Sequence, residues 1–211
     1  MSDPAYRELC SLAGSVSRET FDALQTFESE FRRWSSKINL AAPSTLPELW
    51  SRHILDSAQL VPLSNGSTRW LDVGSGGGFP GAVIAIMMKD HPGARVTLVE
   101  SNRKKAAFLS TILGRLKAPA NVLAVRIEDA WDKNLRPEIV TARALAPLPA
   151  LLGLTYPWLS RGARALFHKG RGYKAEIVNS AHDWRFDLVE HRSVIDAESV
   201  VLDISNVQAI G

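Results

Sequence analysis

A glycine-rich segment and two carboxylates near it in the predicted fold are the residues of this sequence best suited to bind a charged small molecule. An apolar run ends at Asp72-Val73, and four of the five residues at positions 74–78 are glycine. Glycines let the chain turn tightly and let a ligand lie against backbone N–H groups at the start of a helix. Glu100 ends the next apolar run, where a carboxylate can accept hydrogen bonds from ribose hydroxyls. The pattern therefore predicts a ribose-bearing ligand.

The glycine segment fits two ligand-binding patterns, and Asp72 helps to separate them. From Gly76 it fits the dinucleotide pattern G-x-G-x-x-G. From Gly74 it fits G-x-G-x-G, which resembles the first motif of S-adenosylmethionine-dependent methyltransferases. An acidic side chain suits the ammonium and sulfonium groups of S-adenosylmethionine, whereas it would repel a pyrophosphate. This favours S-adenosylmethionine, with a nicotinamide-dependent oxidoreductase of the same fold class as the first alternative.

Further polar residues follow the later strands and could complete the crevice. After the third strand, the run Arg126-Ile127-Glu128-Asp129 offers an acidic side chain and a neighbouring N–H that could bracket an adenine edge. Arg143 ends the fourth strand, at the mouth of the same crevice. Three cations, Arg103-Lys104-Lys105, stand in the first turn of a helix, where they oppose the helix dipole. That arrangement indicates either phosphate contact or a solvated turn.

The sequence does not contain the residues that several other reactions and binding sites require. Cys10, the one cysteine of the chain, lies in the N-terminal helices, so no disulfide framework and no catalytic thiol in the crevice is expected. The Asn/Asp-Pro-Pro-aromatic run of amino-methyltransferases is absent after the fourth strand. No spacing of His, Cys and Asp suggests a metal, and neither a nucleophile elbow nor a P-loop occurs. We therefore expect no metal.

Charge is unevenly distributed along the 211 residues, whose net charge is +3. Positions 1–66 carry a net −2, positions 67–145 a net +5, and positions 146–211 are neutral. A basic middle segment favours a polyanionic partner. The apolar runs are much shorter than the roughly 20 residues of a membrane span, and the first residues include no apolar targeting stretch. We expect a cytoplasmic protein with no membrane contact.

Two kinds of hydrophobic pattern divide the chain. Up to position 66 apolar residues recur in steps of three and four, which predicts a helical extension with Ser17 as one N-cap and a second helix near Pro47 capped by Thr45. From position 67 to 211 short apolar strands alternate with helices, which predicts a parallel sheet covered on both faces. The predicted strands are 70–73, 95–99, 122–125, 139–142 and 163–168. The predicted helices are 78–88, 102–116, 148–159 and 173–182, with Ser101 capping the second of these.

The tail ends this alternation. Segments 186–191 and 200–204 are two predicted strands with no helix between them, so they should form an antiparallel pair at the sheet edge. Five parallel strands followed by such a pair are typical of the class I S-adenosylmethionine-dependent methyltransferase fold, a Rossmann-like doubly wound α/β sheet with its last strand antiparallel.

Six motifs give the sequence a specific resemblance. They are W-S-S-K-I-N-L at 34–40, R-H-I-L-D-S at 52–57, D-V-G-S-G-G-G-F-P-G at 72–81, L-V-E-S-N-R-K-K-A-A-F-L at 98–109, A-R-A-L-A-P-L at 142–148 and H-K-G-R at 168–171. With these motifs the chain resembles the RsmG family, also called glucose-inhibited division protein B. The resemblance implies an S-adenosylmethionine-dependent methyltransferase that modifies N7 of a guanine in 16S rRNA, the guanine numbered 527 in the usual rRNA numbering.

The resemblance also implies roles for particular residues. The cofactor-binding set would be Asp72, Gly74, Gly76, Gly78, Phe79, Glu100, Ile127, Glu128 and Arg143. Arg143 would also position the target base. Asn39, Arg52, His53, Asp56, Lys169 and Arg171 would face the RNA or shape the pocket. From their charge, Arg103, Lys104 and Lys105 join this RNA-facing set. The implied partner is 16S rRNA or the small ribosomal subunit particle, bound by a monomer. A non-catalytic RNA-binding assembly factor is the second alternative, and small-molecule methylation is a third.

Overall fold

The computed structural model describes residues 3–210 and contains one seven-stranded sheet. The strands are β1 (Arg69–Val73), β2 (Arg95–Val99), β3 (Ala120–Leu123), β4 (Ile139–Arg143), β5 (Arg164–Lys169), β6 (Trp184–Arg192) and β7 (Val200–Ala209). Their order is β3-β2-β1-β4-β5-β7-β6, with the first five parallel and β7 antiparallel to both neighbours. The predicted fold class and the antiparallel edge pair are confirmed.

Seven α-helices accompany the sheet within the described residues. They are α1 (Pro4–Ala13), α2 (Arg18–Ser35), α3 (Asp56–Ala58), α4 (Gly81–Met87), α5 (Arg103–Arg115), α6 (Leu148–Leu159) and α7 (Tyr173–Ser180). Strand order reverses between β1 and β4, which begin the two halves of the sheet. In open α/β sheets the crevice at such a switch point, beyond the carboxyl ends of the strands, is where ligands bind.

The N-terminal helices pack on the sheet layer rather than standing apart from it. Ser17 caps α2 as predicted, its Oγ accepting from the N–H of Thr20 at 3.1 Å. Phe27 and Phe31 of α2 are fully buried, and both contact Phe79, which follows the glycine segment. One apolar core therefore joins the N-terminal segment to the strand-helix layer behind β1.

Two local predictions were wrong, and a third was right only in part. A helical segment does follow Pro47, but it begins at Trp50 as a π-helical turn (Trp50–Leu55) that leads into α3, and Thr45 ends a separate 3-10 turn (Pro43–Thr45) instead of capping it. Helix α4 begins at Gly81 instead of position 78, since the glycines before it take turn conformations. Asn102, not Ser101, caps α5, because its side chain accepts from the N–H groups of Lys104 and Lys105.

Candidate functional site

The glycine segment forms a tight loop at the carboxyl end of β1. Gly74, Gly76 and Gly78 have φ angles of +67°, +57° and +109°, a region that other residues rarely adopt. A Cβ at Gly78 would lie 2.8 Å from both Ala82 and Leu109, so this position also needs glycine for close packing. A Cβ at Gly76 would meet nothing nearer than a backbone oxygen at 3.8 Å. The loop thus leaves open space beside its middle glycine.

Glu100 holds this loop from the neighbouring strand end. Its Oε2 accepts from the N–H of Gly76 at 2.7 Å, and its Oε1 accepts from the N–H of Asn102 at 2.7 Å. A carboxylate oxygen can accept two hydrogen bonds, so each oxygen keeps capacity for a ligand hydroxyl. The carboxylate is buried, which strengthens such hydrogen bonds. Glu100 is therefore a suitable acceptor for a ribose edge laid along Gly76.

Asp72 lies beneath the loop and not in open space. Its Oδ1 accepts from the hydroxyl of Thr141 at 2.8 Å, and its Oδ2 accepts from the N–H of Gly81 at 3.2 Å. Complete burial raises the pKa of this carboxyl to about 6, although those hydrogen bonds oppose the rise. Asp72 thus fixes the start of α4 to β1 and β4, and contributes negative potential beneath the loop.

A cavity of about 920 Å³ opens beside the loop at the carboxyl ends of β4 and β5. Its walls come from the 45–56 segment, the 142–147 turn, the end of β5, and the loop between β6 and β7. The Cζ of Arg143 lies 5.9 Å from the ring centroid of Phe79, and the ring of His53 lies 4.9 Å from the same ring. Phe79 therefore connects the glycine loop to the cavity.

Arg143 is the centre of a buried polar network in this cavity. Its Nη1 lies 3.1 Å from Oδ2 of Asp56, and its Nη2 contacts Nδ1 of His53 at 2.5 Å. His168 donates from Nε2 to the backbone oxygen of Asp56 at 2.9 Å. Gln59 donates to Oδ1 of Asp56 at 2.7 Å. These contacts hold the Arg143 guanidinium in one orientation at the end of β4.

Burial and neighbouring cations lower the pKa values of the basic side chains in this network. Burial, with the cations of Arg143 and Arg52, lowers the pKa of His53 to about 4. Burial also lowers the pKa of His168, against the attraction of Asp56. Burial lowers the pKa of Arg143 as well, although Asp56 partly offsets this. Both histidines are therefore neutral near pH 7.

The remaining predicted residues spread over the surface around the crevice. Ile127 is half-buried and Glu128 exposed at the turn after β3, while Asn39 is exposed after α2. Arg103 and Lys104 are exposed in the first turn of α5, with Lys105 half-buried beside them. Four residues of the RNA-facing set line the cavity, namely Arg52, His53, Asp56 and Lys169. Arg171 is exposed and pairs with Glu198, which lines the cavity, while Asn39 and the α5 cations are not part of the cavity wall.

Lys169 is less available than its sequence position indicated. Its Nζ donates to the carbonyl of Ala146 and to Oε2 of Glu176, both at 2.7 Å, and the residue is buried. Oε2 of Glu176 also accepts from the N–H of Leu148 at the start of α6. Lys169 therefore ties the 142–147 turn to α7 as part of the cavity wall.

Asp56 was expected to face the RNA or shape the pocket, whereas its contacts with Arg143 and His168 were missed. Asp56 follows His53 by three residues, which places both on one helical face, and this spacing was a usable signal. His168 lies 112 residues from Asp56, and no local pattern links the two. Leu145 was also missed, although its side chain covers Gly74 so closely that a Cβ there would lie 2.6 Å from it.

Two kinds of feature are absent from residues 3–210. No group of three or more His, Cys, Asp or Glu side chains is arranged to hold a metal ion. No helix in this part of the chain is long and apolar enough to cross a membrane.

Comparison with known sequences gives one consistent result. The profile of the GidB family, described as rRNA small subunit methyltransferase G, matches residues 20–203. A protein of Chelativorans sp. (strain BNC1) named ribosomal RNA small subunit methyltransferase G is 58% identical over 205 residues, covering 97% of this chain and 98% of that protein. A Brucella anthropi protein of the same name is 54% identical, covering 98% of this chain and 97% of that protein.

Solved structures share the fold at low sequence identity. An O-methyltransferase from Bacillus cereus, in complex with SAH, has a TM-score of 0.57 at 11% identity and covers 95% of this chain and 96% of its own. Cofactor-bound Rv0187 from MTB has a TM-score of 0.60 at 13% identity, with coverage of 97% and 98%. These similarities extend over nearly the whole chain.

Proposed function

Because the chain belongs to the rRNA small subunit methyltransferase G family, which confirms the resemblance found in its sequence, we propose that it methylates N7 of a guanine in small-subunit rRNA. Its reaction is methyl transfer, and S-adenosylmethionine is the methyl donor. The oxidoreductase alternative is not favoured by this membership. The observation that supports the proposal most directly is the polar cavity that meets the glycine loop at Phe79.

The residues of the glycine loop fit the methyl donor. The space beside Gly76 allows a ligand to approach bare backbone, and Glu100 retains acceptor capacity for ribose hydroxyls. Asp72 supplies buried negative potential near the cationic end of the donor, while Ile127 and Glu128 are available for its adenine. When bound, S-adenosylmethionine supplies a methyl group on an activated sulfonium. The protein residues then have to orient the base and exclude water.

Guanine N7 suits a site of this composition. N7 carries a free lone pair and loses no proton before it attacks, so the reaction needs no general base. Asp56 is already engaged by Arg143 and Gln59, and burial lowers the pKa of both cavity histidines, which makes them weak proton acceptors. Arg143, held in one orientation above Phe79, is suited to position the base for in-line attack, which is the main requirement.

The test is to map 7-methylguanine in small-subunit rRNA from a deletion strain with and without the restored protein. We expect the modification at one guanine, by resemblance the one numbered 527, to return with the wild type and to fail with Glu100→Ala. Losing hydrogen bonds to a charged acceptor should weaken donor binding by about 1–3 kcal/mol. Restored assembly without any methyl group would instead support the assembly-factor alternative.

A further inference from the structure

His53 and His168 both line the cavity, and their neighbours fix where each carries its proton. An arginine carries only donors, so Nη2 of Arg143 must donate to Nδ1 of His53. The proton of a neutral His53 therefore lies on Nε2. A carbonyl oxygen only accepts, so Nε2 of His168 must donate to the backbone oxygen of Asp56. The lone pair of a neutral His168 therefore lies on Nδ1.

The nitrogen left free differs in character between the two rings. Nε2 of His53 is a donor and Nδ1 of His168 is an acceptor, and neither has a hydrogen-bond partner within residues 3–210. Only 9% of His53 and 7% of His168 is exposed. Buried polar atoms are costly to leave without a partner, and most in folded proteins have one. Both residues line one cavity, so a ligand that offers one acceptor and one donor there would supply the missing partners.

Guanine offers this combination on adjacent atoms. Its O6 accepts a hydrogen bond and the neighbouring N1–H donates one, whereas adenine has a donor amino group at N6 beside an acceptor at N1. O6 also lies next to N7, the atom that must face the methyl donor. His53 packs against Phe79 of the glycine loop, which places it on the side of the cavity where the N7 edge has to lie.

We propose that His53 and His168 select guanine as the target base, with Nε2–H of His53 donating to O6 and Nδ1 of His168 accepting from N1–H. This assignment rests on the proposed function, since it takes guanine as the base that enters the cavity. The low pKa of His53 keeps its Nδ1 available as an acceptor for Arg143. Adenine would place its N6 amino donor against the Nε2–H donor of His53 and its N1 acceptor against the Nδ1 acceptor of His168. The site would therefore reject adenine.

Two substitutions remove the free nitrogen and keep the bond to the neighbour. His53→Asn retains an oxygen near the Nδ1 position to accept from Arg143 but lacks the Nε2–H donor. His168→Gln retains a donor near the Nε2 position for the Asp56 carbonyl but lacks the Nδ1 acceptor. His53→Gln, which keeps a donor near Nε2, tests rescue. His91→Asn, at an exposed histidine outside the cavity wall, is the control.

The measurement is kcat/KM on unmethylated small-subunit rRNA that carries guanine or adenine at the target position. We expect His53→Asn and His168→Gln each to lower the guanine-to-adenine preference about tenfold or more, because the wild-type preference comes from paired polar groups. His91→Asn should keep the wild-type preference, and His53→Gln should recover part of it. Unchanged preference in both folded cavity variants would overturn the proposal.

A second measurement uses only the wild-type protein, so it does not depend on how the variants fold. Inosine at the target position keeps O6 and N1–H and should be methylated at a similar rate. 2-Aminopurine keeps N7 but lacks O6 and N1–H, and it should lose at least tenfold in kcat/KM. Equal rates for the two analogues would overturn the proposal. If wild-type product on guanine is not 7-methylguanine, the proposed function itself fails, which is a separate result.

Discussion

At the scale of single residues, Asp72 shows how burial determines a side chain's behaviour. Its carboxyl is fully buried and keeps its proton to higher pH than an exposed aspartate does. The folded state therefore binds this proton more tightly than the unfolded state. The stabilising contribution is complete below pH about 4 and is lost as the pH rises through about 6. Asp72 becomes a source of instability near neutral pH.

Asp72→Asn should remove this pH dependence. The amide can donate to Oγ of Thr141 and accept from the N–H of Gly81, so both neighbours keep a partner. The free energy of unfolding of the wild type, relative to the variant, should fall by on the order of 3 kcal/mol between pH 4 and 6 and then level off. Urea denaturation across that range measures the difference. Parallel curves for the two proteins would contradict the prediction.

Single residues also show that sequence position alone does not determine what a side chain contacts. Asp72 and Lys169 were both expected at a ligand, and the structure gives each of them protein partners. His53 was assigned to the RNA and Arg143 to the cofactor and the target base, and their contact with each other was not expected. Contacts with residues of other elements decided these cases.

At the scale of elements, close approach and helix propensity give two glycines opposite roles. A Cβ at Gly81, the first residue of α4, would lie 2.5 Å from Oδ2 of Asp72. A Cβ at Gly114, inside α5, would meet nothing within 4 Å. Gly81→Ala should lower the free energy of unfolding by at least about 1 kcal/mol through overpacking. Gly114→Ala should raise it by about 0.5–1 kcal/mol.

Urea denaturation of the two variants at one pH provides the check. The two substitutions add the same methyl group to helices, so each serves as the control for the other. A stabilising Gly81→Ala, or a destabilising Gly114→Ala, would contradict the role assigned to that position.

The cations in the first turn of α5 should contact RNA, although their charge lowers the stability of the helix. Arg103, Lys104 and Lys105 face the positive end of the helix dipole. Changing all three to glutamate should stabilise the helix slightly and weaken binding to small-subunit rRNA. The slope of log affinity against log salt should flatten by about 0.7 for each phosphate of single-stranded RNA that the variant no longer neutralises.

Filter binding at several salt concentrations measures that slope. Arg7→Glu, at an exposed arginine of α1, is the single-charge control and should change the slope less than one-third as much. An unchanged slope in the triple variant would mean that these three cations are only solvated.

At the scale of the whole molecule, the N-terminal helices and the sheet share apolar contacts. Phe31 of α2 is fully buried and packs against Phe79 and Phe108. Phe31→Ala should lower the free energy of unfolding by about 3–5 kcal/mol and weaken S-adenosylhomocysteine binding, because Phe79 loses its support. We also expect residues 1–66 and 67–211 to unfold in one transition.

Leu152→Ala is the matched control. Leu152 is equally buried but belongs to the apolar core on the other face, with Leu148 and Phe167. Leu152→Ala should lower the free energy of unfolding by about 2–5 kcal/mol and change the affinity for S-adenosylhomocysteine little. Calorimetric titration with S-adenosylhomocysteine separates the two variants. Equal loss of affinity in both would show that general destabilisation is the cause.

The sequence by itself determined the features that depend on local pattern. Alternating apolar segments predicted the sheet and its reversed edge pair, the N-cap at Ser17 was found, and six motifs identified the family. Periodicity, capping and turn chemistry act over a few residues, so a sequence displays them directly. The exact start of α4 was missed by three residues, because the glycine loop's turns are decided by its packing on Asp72 and Leu109.

Only the tertiary structure decided the polar network of the cavity. Arg143 meets His53 across 90 residues of sequence, and His168 meets Asp56 across 112. These pairs form because parallel strands bring their carboxyl ends to one edge, where the N-terminal segment packs over them. Which nitrogen of each histidine carries a proton, and which is left free for a ligand, depends on those distant partners, since the hydrogen bond at one ring nitrogen fixes the tautomer of the other.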